Sequence, residues 1–306
     1  MDVHLVDGTY ELFRYFFALP GHRTEAGREV AATRGVVGSM LGLLEGGATH
    51  VGIATDHVIE SFRNDLWPTY KDGSGVDPDL TSQFPLLEEV LETAGFRVFP
   101  MVELEADDAL GAAAARAADD PGVERVLICT PDKDLGQCVG GKVVQLDRRK
   151  GVVLDEEAVR AKFGVPPESI PDWLALVGDS ADGFPGLPGW GARSAATVLE
   201  RYGHIEAIPA DGSAWGVNVR SPGTLAATLR DNLELALLFR RLATLELDAD
   251  VQAGTDELRW TGPADGFAEL CAHIDAPNLA SRAERIARER AASSGPPNGR
   301  ATETAG

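Results

Sequence analysis

Short apolar runs recur through the first half of the chain, at about 3–6, 50–54, 96–99, 125–129 and 143–146, between helix-like stretches near 29–45, 80–94 and 105–118. Buried parallel strands read as near-continuous apolar runs, and strand–helix alternation builds a parallel sheet with helices on its faces. Sheets of this kind bind ligands just beyond the carboxyl ends of their strands. Carboxylates stand at that place. Asp7 follows His4-Leu5-Val6, Asp56 follows Ile53-Ala54-Thr55, and Asp132 and Asp134 come shortly after Val126-Leu127-Ile128.

A turn-rich break at Arg148-Arg149-Lys150-Gly151 separates this half from a mostly helical one, with periodic segments at 155–163, 170–178, 191–202 and 221–245. The expected organisation is an α/β domain over 1–154, a helical lobe over 155–250, a C-terminal extension over 251–290 and a disordered tail over 291–306. The tail lacks apolar residues able to offset its ordering entropy. The pattern at 280–290 alternates charges and reads as a surface helix to which no role is assigned.

A net charge of −20 argues against binding nucleic acid through a generally positive surface, so any such contact is local. DNA affinity without divalent metal is expected to be poor and strongly salt-sensitive. Three cysteines without a C-x-x-C pair suggest neither zinc nor a disulfide framework, and with no export signal or membrane span the expected setting is the reducing cytoplasm.

Nine acids fall in six clusters: Asp7, Asp56, Glu105-Ala106-Asp107-Asp108, Asp132-Lys133-Asp134, Asp179 and Asp182. Each alone has an ordinary explanation. Asp7 and Asp56 suit a helix cap or strand end, the acids at 105–108 suit a first helical turn, and Lys133 balances its neighbours as a solvated turn would. Six such clusters at element ends are poorly explained as independent caps. Their donors are all oxygen, which selects hard cations such as Mg²⁺ or Mn²⁺ over zinc, and so many acids suggest two ions. Two ions about 4 Å apart activate water and stabilise the leaving oxygen of a phosphate ester.

After Asp182, the stretch Gly183-Phe184-Pro185-Gly186-Leu187-Pro188-Gly189-Trp190-Gly191 leads into a helix over 192–202. Alone it reads as a tight interhelical turn. Following the acids, it reads as a helix-hairpin-helix whose backbone amides grip a nucleic-acid strand without reading bases. Arg193 adds a phosphate contact, and Arg63 and Lys71 are candidates to reach a scissile phosphate.

The ordered set Leu5-Val6-Asp7-Gly8, Ser61-Phe62-Arg63, Tyr70-Lys71, Glu105-Ala106-Asp107-Asp108, Asp132-Lys133-Asp134-Leu135 and Gly178-Asp179-Ser180-Ala181-Asp182 resembles the 5′-3′ exonuclease family, which includes the nuclease domain of bacterial DNA polymerase I, phage 5′ nucleases and flap endonucleases. The resemblance spans about residues 3–245. It implies a PIN-like α/β domain with a helix-3-turn-helix element, cutting 5′-ended or flapped DNA with two Mg²⁺ or Mn²⁺ ions in replication or repair. Carried over, it makes all nine acids metal ligands, Arg63 and Lys71 active-site cations, and Arg14 a DNA contact in the first helix. Gly186, Gly189 and Gly191 become the DNA-binding hairpin, where the family often holds K⁺. An RNA–DNA hybrid substrate, a separate DNA polymerase partner and association with the nucleoid in a bacterium belong to the same expectation, as does a stand-alone nuclease with no polymerase region following. Departures from the family pattern are Ser74 in place of an arginine within the acidic segment Asp72–Asp77, Glu103-Leu104 before Glu105, Gly183 in place of an asparagine, and Arg193 in place of a lysine.

Two other readings compete. A haloacid-dehalogenase-type phosphatase is suggested by Asp7-Gly8-Thr9, but Leu5 stands where its nucleophilic aspartate belongs. A non-catalytic DNA-structure-binding protein would keep the fold while losing acids or the basic pair, and here both are retained.

Overall fold

The computed structural model describes residues 1–71, 73–251 and 254–293. Asp72, in the acidic segment, and most of the expected disordered tail, 294–306, lie outside the described residues. Residues 291–293, expected in that tail, instead continue the last helix.

The five apolar runs form β1 (Asp2–Asp7), β2 (His50–Asp56), β3 (Arg97–Met101), β4 (Arg125–Cys129) and β5 (Val143–Asp147). With β6 (Val152–Leu154), which was not expected, they make a six-stranded sheet among the described residues in the order β3-β2-β1-β4-β5-β6. β1 to β5 run parallel and β6 is antiparallel at the edge. Strand order reverses between the neighbours β1 and β4, which is the crevice where ligands bind in such sheets.

The helices are α1 (Gly8–Ala18), α2 (Ala31–Glu45), α3 (Phe62–Leu66), α4 (Pro78–Thr81), α5 (Gln83–Thr93), α6 (Ala106–Asp119), α7 (Glu156–Phe163), α8 (Ile170–Val177), α9 (Ala192–Tyr202), α10 (Pro222–Asp231), α11 (Leu233–Ala243), α12 (Phe267–His273) and α13 (Pro277–Ser293). The periodic stretch expected over 221–245 is broken at Asn232, which leaves helical geometry (φ −127°, ψ 27°) and divides α10 from α11. The alanine-rich face of α6 packs on β1, β4 and β5 through Ala109, Ala113 and Val143. A separate core around Trp173, Phe184, Trp215 and Phe239 holds the helices from α7 to α11 together.

The C-terminal segment is more than an appended extension with a surface helix. Trp260, Phe267 and Cys271 join the core of α2 and α5, and α13 buries Leu279, Ala283 and Ile286 against it. Those three residues recur at helical spacing beneath the charged face, so α13 is an amphipathic layer of the α/β domain.

Candidate metal centre and nucleic-acid interface

Asp7 ends β1 and caps α1, its Oδ1 accepting the Tyr10 amide at 2.7 Å and its Oδ2 the Thr130 hydroxyl at 2.9 Å. Asp56 ends β2, where its Oδ1 accepts from the Ala106 amide at 2.7 Å. Glu105 caps α6, and Asp107 and Asp108 occupy its first turn. Asp132 follows β4, with its Oδ1 accepting from the Asp134 amide at 2.9 Å. Asp179 and Asp182 lie on a turn closed by reciprocal backbone bonds between Asp179 and Phe184 at 2.9 and 3.0 Å. The topology thus collects acids from three strand ends, one helix start and the loop after α8.

These acids are costly to hold charged. Burial, reinforced by Asp56 and Asp132, pushes Asp7 up to about 7 against its hydrogen bonds from Tyr10 and Thr130. Burial also raises Asp107, with Asp132, Asp7 and Asp56 adding repulsion, and Asp134, with Asp132 and Asp182 adding theirs. Glu105 goes the other way, because Lys71 and Arg63 more than offset its burial and hold it below the usual carboxylate range. Nine carboxylates are met by Arg63, Lys71 and Lys133 among the described residues. That excess of buried negative charge fits divalent cations.

The geometry fits them too. Asp134, Asp179 and Asp182 are buried, and each offers an oxygen within 4.8 Å of the other two. Asp134 Oδ1 is buried without a hydrogen-bond partner, an orphan acceptor of the kind a cation would satisfy. Lys71 also meets Asp182, its Nζ lying 2.8 Å from Glu105 Oε2, 3.3 Å from Asp182 Oδ1 and 3.9 Å from Asp107 Oδ2. Its backbone has φ +24°, a strained conformation for a side-chain-bearing residue of the kind found at functional sites.

Two of the expected roles need correction. Arg63 is 1 % exposed and its donors are consumed: Nε by the Leu242 carbonyl, Nη1 by Glu105 and Asp108, and Nη2 by Asp108 and the Thr244 carbonyl. It has none left for a scissile phosphate. Asp108 is fully buried, and besides Arg63 its carboxylate accepts the amides of Glu105 and Glu246, so it is a poor metal ligand. The pair instead fastens Glu105, on the α6 cap, to the end of α11.

Arg14 is paired with Glu11 and lies 4.0 Å over the Tyr15 ring, leaving it partly exposed. Gly186 is buried rather than displayed. Its φ is +68°, and a Cβ would fall 2.4 Å from the Gly178 nitrogen, so it packs the hairpin on the end of α8. Gly183 is similarly constrained, with a Cβ falling 2.2 Å from the Thr69 carbonyl oxygen, which accounts for glycine where the family pattern has asparagine. Gly189 and Gly191 are exposed at the start of α9. They line an open cleft with Arg193, Thr197, Asn218 and Arg220. The first amides of α9 lack acceptors within their helix and suit an anion.

Tyr70, noted from sequence only as a neighbour of Lys71, places its hydroxyl 3.3 Å from Glu105 and 3.4 Å from Asp182, and neither Asn218 nor Arg220 was singled out. The latter pair precede α10 and carry no motif. Lys133, for which a solvated turn was one of two open readings, bonds Asp179.

A model of the 5′-3′ exonuclease N-terminal resolvase-like domain matches residues 2–164, and one of the 5′-3′ exonuclease C-terminal SAM fold matches residues 165–266. The chain belongs to the 5′-3′ exonuclease family. It is 29 % identical over 290 residues to a 5′-3′ exonuclease of Aquifex aeolicus, covering 94 % of this chain and 96 % of that one. It is 34 % identical over 264 residues to DNA polymerase I of Bacillus caldotenax, covering 84 % of this chain but only 29 % of the polymerase. The chain thus spans under a third of the polymerases it matches. The fold resembles that of a bacteriophage T5 flap endonuclease solved as a pseudo-enzyme–product complex with DNA and metal ions. That likeness has a TM-score of 0.62 at 17 % identity and covers 94 % of this chain and 98 % of that one. The α/β sheet with flanking helices is the PIN-like architecture expected.

Proposed function

We propose that the chain is a structure-specific 5′ nuclease that hydrolyses phosphodiester bonds at DNA 5′ ends and flaps with two Mg²⁺ or Mn²⁺ ions. The observation that carries this reading is the carboxylate cluster at the sheet's crevice, with the buried Asp134, Asp179 and Asp182, an orphan oxygen on Asp134, and Lys71 bonded to Glu105 and Asp182. Asp7, Asp56, Asp107 and Asp132 would hold one ion, and Asp134, Asp179 and Asp182 the other. Bound there, the ions would supply an activated water and neutralise the leaving oxygen. Lys71 presents its ammonium to the phosphate oxygens as charge develops. It stands 3.9 Å from Asp107 in one group and 3.3 Å from Asp182 in the other, and Glu105, whose oxygens already accept from Ser61, Arg63, Tyr70 and Lys71, anchors it there rather than serving as an ion ligand.

The α9 terminus, with Arg193 and Arg220, grips the strand by its phosphates, which requires only a local basic surface on an acidic protein. K⁺ held by carbonyls of the hairpin belongs to this reading. So do action on cytoplasmic DNA, cutting of the RNA strand of a hybrid, and a separate polymerase to fill the gap left behind.

The test is incubation of purified protein and Mg²⁺ with a 5′-labelled flap, a nicked duplex and a matching RNA–DNA hybrid. Metal-dependent cleavage near the junction, abolished in Asp134→Asn, is expected. Binding without cleavage would establish the non-catalytic alternative instead.

A further inference from the structure

Lys133 lies between two of the proposed ligands, on the turn joining Asp132 to Asp134, and its side chain turns inward. Its Nζ bonds Asp179 Oδ2 and stands 3.9 Å from Asp134 Oδ1, the acceptor that has no hydrogen-bond partner. The ammonium therefore sits against two of the three carboxylates whose oxygens come within 4.8 Å of one another. Its side chain is 31 % exposed, so it can leave that position for water without stranding a charge in the interior.

We propose that Lys133 is a tethered counter-cation that occupies the Asp134–Asp179–Asp182 site in the metal-free protein and sets the metal concentration at which that site fills. The inference rests on the two-ion reading above. A divalent ion and an ammonium drawn to the same oxygens repel each other strongly at such separations, so the ion enters only as the ammonium leaves. Each filling then breaks the ion pair to Asp179 and exposes Lys133. Among the described residues, Asp7, Asp56, Asp107 and Asp132 have no ammonium hydrogen-bonded to them, Lys71 approaching Asp107 at 3.9 Å, whereas the Asp134 site carries Lys133 on Asp179 and Lys71 at 3.3 Å from Asp182. The two sites should therefore differ in affinity, with the Asp134 site the weaker. Mg²⁺ keeps several waters and is commonly completed by substrate phosphates. A weakened second site would fill chiefly when a DNA phosphate adds its oxygen, tying full assembly of the centre to the arrival of substrate.

Mn²⁺ titration of the full chain, followed by electron paramagnetic resonance, tests this on wild type, Lys133→Met and Lys133→Arg. Wild type should bind two ions of unequal affinity. Lys133→Met should tighten the weaker site at least about tenfold, and Lys133→Arg should leave it weak. An unchanged or weakened second site in Lys133→Met overturns the gating role while leaving the two-ion reading intact. One ion or none at saturation in all three proteins overturns the two-ion reading, and the gate with it. Wild-type protein gives a second measurement independent of how the variants fold. Acylation of Lys133 by an amine reagent, read by peptide mass spectrometry, should rise as Mn²⁺ saturates the site, and labelling indifferent to Mn²⁺ overturns the proposal.

Discussion

Arg63 and Asp108 are joined by two parallel hydrogen bonds of 2.8 Å, Nη1 to Oδ2 and Nη2 to Oδ1, with neither residue more than 1 % exposed. The same guanidinium holds the carbonyls of Leu242 and Thr244, so one side chain ties α6 to the far end of α11.

Removing one partner of such a pair leaves a charge buried and unpaired. Arg63→Ala and Asp108→Ala are each expected to lower unfolding free energy by about 3–5 kcal/mol, and the double variant by less than their sum. Denaturant titrations check this. An Arg63→Ala protein that keeps its stability yet loses cleavage would return Arg63 to the reaction itself.

The metal-free protein should become less stable as pH rises from about 4 to about 7. Asp7 has its folded-state pKa raised from 3.8 to about 7, so the folded protein binds a proton that the unfolded chain has released. The stability linked to that proton is present below the unfolded pKa and lost as pH climbs through the folded one. With EDTA, Tm should fall across this window. With saturating Mg²⁺ it should not, so the Mg²⁺-induced rise in Tm grows with pH. A rise independent of pH would separate Asp7 from the metal.

The hairpin glycines should divide sharply. Gly186→Ala places a Cβ 2.4 Å from the Gly178 nitrogen at φ +68°, where positive φ alone costs about 1–2 kcal/mol. It should lower both Tm and DNA affinity. Gly191 has φ −138° and open space around it, so Gly191→Ala should keep Tm nearly unchanged. Melting curves of equal depression would contradict the packing described.

Arg193→Ala and Arg220→Ala should weaken DNA binding about equally for unrelated sequences. Each should also reduce the slope of log affinity against log salt by about 1, because one phosphate contact disappears with its released counterion. Fluorescence anisotropy over a range of salt concentrations measures this. A sequence-dependent loss would mean that the cleft reads bases.

The parallel strands were legible because buried runs such as Val126-Leu127-Ile128 declare themselves, and the acids were legible because strand ends are where this sheet binds. β6 is only three residues beside a turn, too short to stand out. Arg63 looked like a catalytic cation because it follows Asp56 in a motif of the family, whereas its confinement depends on carbonyls about 180 residues away. The stripe of Leu279, Ala283 and Ile286 was masked by the charges around it. Sequence offers Lys133 only its immediate neighbours as partners, but the acid it bonds is Asp179, on another loop.

α13 also governs the order in which the molecule can be completed on the ribosome. Met40 and Val36 of α2 share a core with Ala283 and Ile286, so their outer surface stays uncovered until residues 277–293 have emerged. Until then the nascent α/β layer would carry an exposed apolar face, an invitation to chaperones or misassociation. Synthesis, rather than the mature fold, is where a lesion in α13 should first be felt.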